Sequence, residues 1–99
     1  MDPAIPDIKI SDVVVSTQGR DQGQWFYVIA EDPIYLFLAN GKDRALDRPK
    51  RKKRKHVQKV LRSETRVAEK LRLGDKVLNG ELRRDLAFLV KDASENLGG

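Results

Sequence analysis

Two stretches, Trp25-Phe26-Tyr27-Val28-Ile29 and Ile34-Tyr35-Leu36-Phe37-Leu38-Ala39, are apolar at every position. A strand with one wet face alternates apolar and polar side chains, so each stretch predicts a strand covered on both sides. Glu31-Asp32-Pro33 separates them, because proline cannot donate to a ladder. With 99 residues and no cysteine, the chain has room for one small domain and cannot staple it with disulfides or a thiolate metal site. The cover must come from its own packing.

The remaining elements follow from spacing. Val13-Val14-Val15 is a short β-branched strand that runs into the polar loop Ser16 to Gly23. Asn40-Gly41 is a two-residue hairpin signal, since both positions tolerate positive φ, and it predicts a short strand near Arg44-Ala45-Leu46. Pro49 interrupts that strand, and Val57 to Leu61 predicts the fifth and closing one. Five short strands with tight turns suit a small, strongly bent barrel. The C-terminal third supplies the outer layer as two amphipathic helices. One begins after Ser63 as N-cap and ends at Gly74; the other starts from Asn79 and carries Leu82, Leu86, Leu89 and Val90 on one face. Residues 1–8 are expected to be an extended lead-in and Asn96 to Gly99 a frayed tail. The expected organisation is a barrel with an internal basic run over 1–62 and a helical extension packing on it over 63–99.

That basic run is Pro49-Lys50-Arg51-Lys52-Lys53-Arg54-Lys55-His56, six consecutive cations closed by the only histidine. Residues 1–40 carry a formal charge of −4, residues 41–62 of +9 and residues 63–99 of 0, so the whole excess of +5 lies in one window. Confined positive charge is the electrostatic footprint of a polyanion-binding surface. A bare charge run can also be a solvated tail, but such tails sit at termini, and this run lies between predicted strands that would preorganise it. Lys50, Arg51, Lys52, Lys53, Arg54, Lys55 and His56 are therefore candidate phosphate contacts, with Arg20, Arg44 and Arg48 extending the surface. Most aromatics are assigned to the core, and Trp25, nearest the loop, is the candidate for stacking on a base.

Other function classes find no support in the residue pattern. One histidine, no cysteine, no phosphate-binding glycine motif and scattered carboxylates assemble no catalytic or metal constellation, so neither an enzyme nor a cofactor is expected. The first seven residues lack the basic and apolar regions of a secretory signal, and no apolar run approaches a bilayer span, so the expectation is a cytoplasmic protein without membrane or small-molecule partners.

The segment Val13 to Ile29, with Gly19-Arg20-Asp21-Gln22-Gly23 at its centre, resembles a KOW motif, and its continuation through Asn40-Gly41 to the proline-led basic run is similar to the small bacterial KOW-domain RNA-binding proteins. That family is itself similar to KOW-type proteins of the large ribosomal subunit. The resemblance covers residues 12–60, and it implies an SH3-like β-barrel, ribosomal or other structured RNA as partner, and a glycine loop whose backbone amides approach the ligand. Phe26 stands where many KOW motifs have a third glycine and Gln22 where lysine is common, which implies a more heavily packed second strand and one phosphate contact fewer. The other reading of the same features is a protein-interaction module of the translation or transcription machinery, because small barrels host both functions.

Overall fold

The computed structural model describes residues 7–98, with side chains to Glu95. Its strands are β1 (Asp12–Ser16), β2 (Trp25–Glu31), β3 (Tyr35–Ala39), β4 (Lys50–Lys53) and β5 (Val57–Arg62), and its helices α1 (Arg66–Leu73) and α2 (Asn79–Gly98). All neighbouring strands pair antiparallel in one sheet, ordered β4-β3-β2-β1-β5. The edge strands β4 and β5 are nevertheless joined by a single three-residue 3-10 turn, Arg54–His56. So short a connector spans only about 6 Å, which draws the two edges together at that end and curls the sheet. Bulges between Val13 and Val14 and between Val28 and Ala30 add to the bend.

The curl stops short of the expected closed barrel. β5 pairs with β1 and β4 with β3, and no ladder joins β4 to β5. Inside the curl, Ile8, Val14, Phe26, Val28, Leu36, Leu38 and Val57 form one buried cluster. On the outside, Val13, Tyr27 and Ala39 pack with Val67 and Ala68 of α1 and Leu82, Leu86 and Leu89 of α2. Doubly apolar β2 is thus explained by two cores, one on each side of the sheet, whereas on β3 only Ala39 reaches the outer core and Tyr35 and Phe37 stay half-buried outside it.

The helices are fastened to the sheet by polar groups as well. The Tyr27 hydroxyl donates to Asp85 of α2 and lies 2.8 Å from Ser63 Oγ, while Thr65 Oγ1 donates to the same Asp85 carboxylate at 2.9 Å. Burial and the neighbouring Asp85 carboxylate push the Tyr27 hydroxyl up to about 12. Thr65, not Ser63, caps α1, accepting from Ala68 N–H at 3.3 Å, and Gly74 ends it in the left-handed conformation. Lys70 of α1 reaches Glu81 in the first turn of α2 at 2.9 Å. Among the described residues no helix is long and apolar enough to cross a membrane.

Three local expectations are corrected. The lead-in expected over 1–8 falls outside the described residues up to position 6, and Ile8 at its end is fully buried in the inner core. α2 stays helical through Gly98 where a frayed tail was expected from Asn96; Gly99 lies outside the described residues. No strand forms at Arg44 to Leu46, because Asn40 captures this segment locally. Its Oδ1 accepts from Lys42 and Arg44 N–H at 2.9 and 3.0 Å, and Arg44 O accepts from Asn40 and Gly41 N–H. The fourth strand is the basic run itself.

Gly41 holds this loop against the start of α2. Its φ is +77°, and a Cβ there would lie 2.2 Å from the Asn79 carbonyl oxygen and 3.0 Å from Arg83 N. Gly41→Ala is therefore expected to lower stability by about 2 kcal/mol or more, combining left-handed strain with a backbone clash. Urea unfolding of the two proteins measures the difference.

Candidate nucleic-acid interface

As a strand, the basic run obeys a period of two, and the alternation divides its cations into two populations. Lys52 and Arg54 are each only 8% exposed, whereas Arg51, Lys53 and Lys55 are exposed. Burying a cation is tolerated only when its donors are satisfied. The chain meets this condition fully at Lys52, whose Nζ donates to Asp21 Oδ1 at 2.6 Å, Ser16 Oγ at 2.7 Å and Gln18 O at 2.5 Å. Lys50 Nζ lies 2.6 Å from the other oxygen of Asp21. Burial pushes the Asp21 carboxyl up, but Lys50, Lys52 and Ser16 outweigh it and hold the group far below the usual carboxylate range.

Arg54, at the start of the 3-10 turn, acts as a second anchor. Its guanidinium donates to Ile8 O, Asp32 O and Glu31 Oε1 at 2.9, 2.9 and 3.0 Å, tying the chain before β1 to the end of β2. Its Nε, Nη1 and Nη2 each donate to a different residue, which uses the separated donors of the planar guanidinium fork where an ammonium has a single nitrogen.

The outward population stands on a different surface. Tyr35 pairs directly with Lys53 and Phe37 with Arg51, and directly paired residues of antiparallel strands share a face. The outer side of β3 and β4 therefore presents two half-buried aromatic rings beside two exposed cations. The Arg51 guanidinium sits over the Tyr35 ring, 4.4 Å from its centroid. Pro33 and Ile34 line a groove with Lys53, Arg54 and Lys55. Asp32 shapes that corner by accepting from Ile34 and Tyr35 N–H at 2.8 and 2.6 Å, bonds that lower its pKa.

The other predicted residues are distributed around the molecule. Arg20 and Arg44 are exposed and line one groove with Lys50, in which Asp43 is also present. Arg48 is exposed in the turn before β4. His56 is half-buried in the 3-10 turn, its carbonyl accepting from Thr17 N–H at 2.9 Å. Trp25 is half-buried against the helix-side core and lines a groove with Arg83 of α2, away from the Tyr35 face. Gly23 does take positive φ, +90°, yet its N–H donates to Ser16 O and the neighbouring Gln22 and Gln24 amides to Gly19 O and Asp21 O. These amides serve the loop's own fold, which leaves Arg20 as its outward-facing cation.

Tyr35 and Phe37 were missed as surface residues. Their i, i+2 spacing against positions 51 and 53 is a signal only once the basic run is taken as a strand. Compared with known proteins, the chain matches no family model and no curated protein.

Asp21→Asn is expected to destabilise the fold by about 3 kcal/mol, because it leaves the buried Lys52 without a counter-charge. Asp21 has a depressed folded-state pKa, so its contribution is complete well above the unfolded value of about 4 and fades as the pH falls through that value towards the much lower folded one. Denaturant unfolding from pH 7 to pH 3 should show a shallower acid loss in the variant than in the parent protein.

Proposed function

We propose that this chain is an RNA-binding module that grips phosphates through the outward cations of β4 and its following turn. The observation that carries this is the division of labour within one basic run: Lys52 and Arg54 are consumed by internal carboxylates and carbonyls, and Arg51, Lys53 and Lys55 are held outward on the rigid strand and turn so anchored. Preorganised cations lose little entropy on meeting a phosphate backbone. Two half-buried aromatics on the same face favour nucleic acid over a simple anion.

We read the framework as SH3-like and the chain as a member of the KOW-type RNA-binding proteins. Five short curled antiparallel strands, a 3-10 turn between the edges and the positive φ of Gly19 and Gly23 support that reading. On it, the partner is ribosomal or other structured RNA, the location cytoplasmic, and no catalysis is involved. A second reading, a protein-interaction module, is favoured by Phe88 and Val90, which are 60% and 42% exposed on α2.

Replacing all of Lys50 to Lys55 would not distinguish these readings, since it strips Asp21 and Glu31 of their partners and unfolds the sheet. Changing only Arg51, Lys53 and Lys55 to Gln should leave the urea midpoint nearly unchanged. RNA affinity is expected to drop at least about tenfold, with a log–log salt slope shallower by about 2 to 3. Undiminished cosedimentation with ribosomes in that variant, together with its loss in Phe88→Ser, would decide for the second reading.

A further inference from the structure

We infer that the outer face of β3 and β4 takes an unpaired nucleotide, with the base stacking on the Arg51 guanidinium and its phosphates held by Lys53 and Lys55; this rests on the RNA-binding reading above. The Arg51 guanidinium carbon lies over the Tyr35 ring, and Arg51 is exposed, so a second planar group can approach it from the solvent side. A guanidinium plane is a stacking partner for a base, and here the side chain is already oriented before the ligand arrives. Pro33 and Ile34, the latter 59% exposed, add apolar surface beside Lys53 and Lys55. An isolated apolar patch would suit many partners. One bordered by Lys53 and Lys55, with Lys53 paired beside the Tyr35 and Arg51 stack, suits a ligand that joins a flat apolar ring to a negative charge, which is the description of a nucleotide.

A fully paired helix cannot use this platform. Its base faces are stacked inside, and it offers only phosphates and groove edges to a convex surface. The selected ligand class is therefore RNA with a bulged, looped or single-stranded base next to accessible phosphates.

The test compares one RNA hairpin carrying a single bulged 2-aminopurine with a fully paired hairpin of equal phosphate number, each titrated with the whole protein. The bulged hairpin should bind at least about tenfold tighter, with the 2-aminopurine fluorescence quenched on binding. Arg51→Lys keeps the charge and removes the plane, so it should abolish the preference and the quenching while changing affinity for the paired hairpin by less than about twofold. Tyr35→Leu, which keeps an apolar side chain on the strand but removes the ring, should do likewise. Equal affinity for both hairpins with no quenching overturns the stacking site and leaves RNA binding in place. Failure to bind either hairpin overturns both.

Discussion

The ion pair between Lys52 and Asp21 decides what the rest of the basic run can be. By taking all three of its hydrogens to Asp21, Ser16 and Gln18, Lys52 fastens the middle of β4 to the loop between β1 and β2. That fastening sets the phase of the strand. Every even position from 50 to 54 then turns toward the protein and every odd position from 51 to 55 away from it. Desolvating a lysine is costly, and the cost is met only because the loop carries a carboxylate, a hydroxyl and a carbonyl within one ammonium's reach. The glycine-rich loop thus serves first as a receptor for the chain's own cation.

A second consequence is the separation of structural and exposed faces. The outer side of β1 and β2, with Ala39 of β3, is sealed by α1 and α2 through the Tyr27, Ser63, Thr65 and Asp85 network and the leucines of α2. The outer side toward Tyr35 and Phe37 is left to the cations of β4. One sheet surface is accordingly divided between a helix-covered half and a charged half.

Much of this was legible in the residues. The apolar runs of β2 and β3 located both strands within one or two positions and required cover on both sides, which the helices provide for β2 and Ala39 but not for Tyr35 and Phe37 of β3. Gly74 and Asn79 marked helix ends through their backbone preferences. What could not be read was the fate of a stretch without apolar residues. Lysine and arginine carry weak strand preference, so nothing local showed that Lys50 to Lys53 would pair with β3, and a short strand was placed at Arg44 to Leu46 instead. From that one misplacement follows the treatment of the six cations as one outward set; Tyr35 and Phe37 were assigned to the core with most of the aromatics, and Trp25 was chosen for its nearness to the loop although it packs against the helix-side core. The loop amides were misjudged for a related reason: their acceptors, such as Ser16 O, become available only when β1 and β2 have paired.

The Arg54 anchor has an implication for folding accuracy. A string of six near-identical side chains is electrostatically degenerate, and sliding it by one residue along β3 would bring another lysine to Asp21 at little penalty in charge. Sheets without an apolar alternation are prone to such slippage. Arg54 removes the ambiguity, because its separated guanidinium nitrogens bridge Ile8, Asp32 and Glu31 at once, and Val57 immediately after the turn must reach the inner core. In a block that looks interchangeable letter by letter, one shape-specific residue and one greasy neighbour act as the key that prevents mispairing.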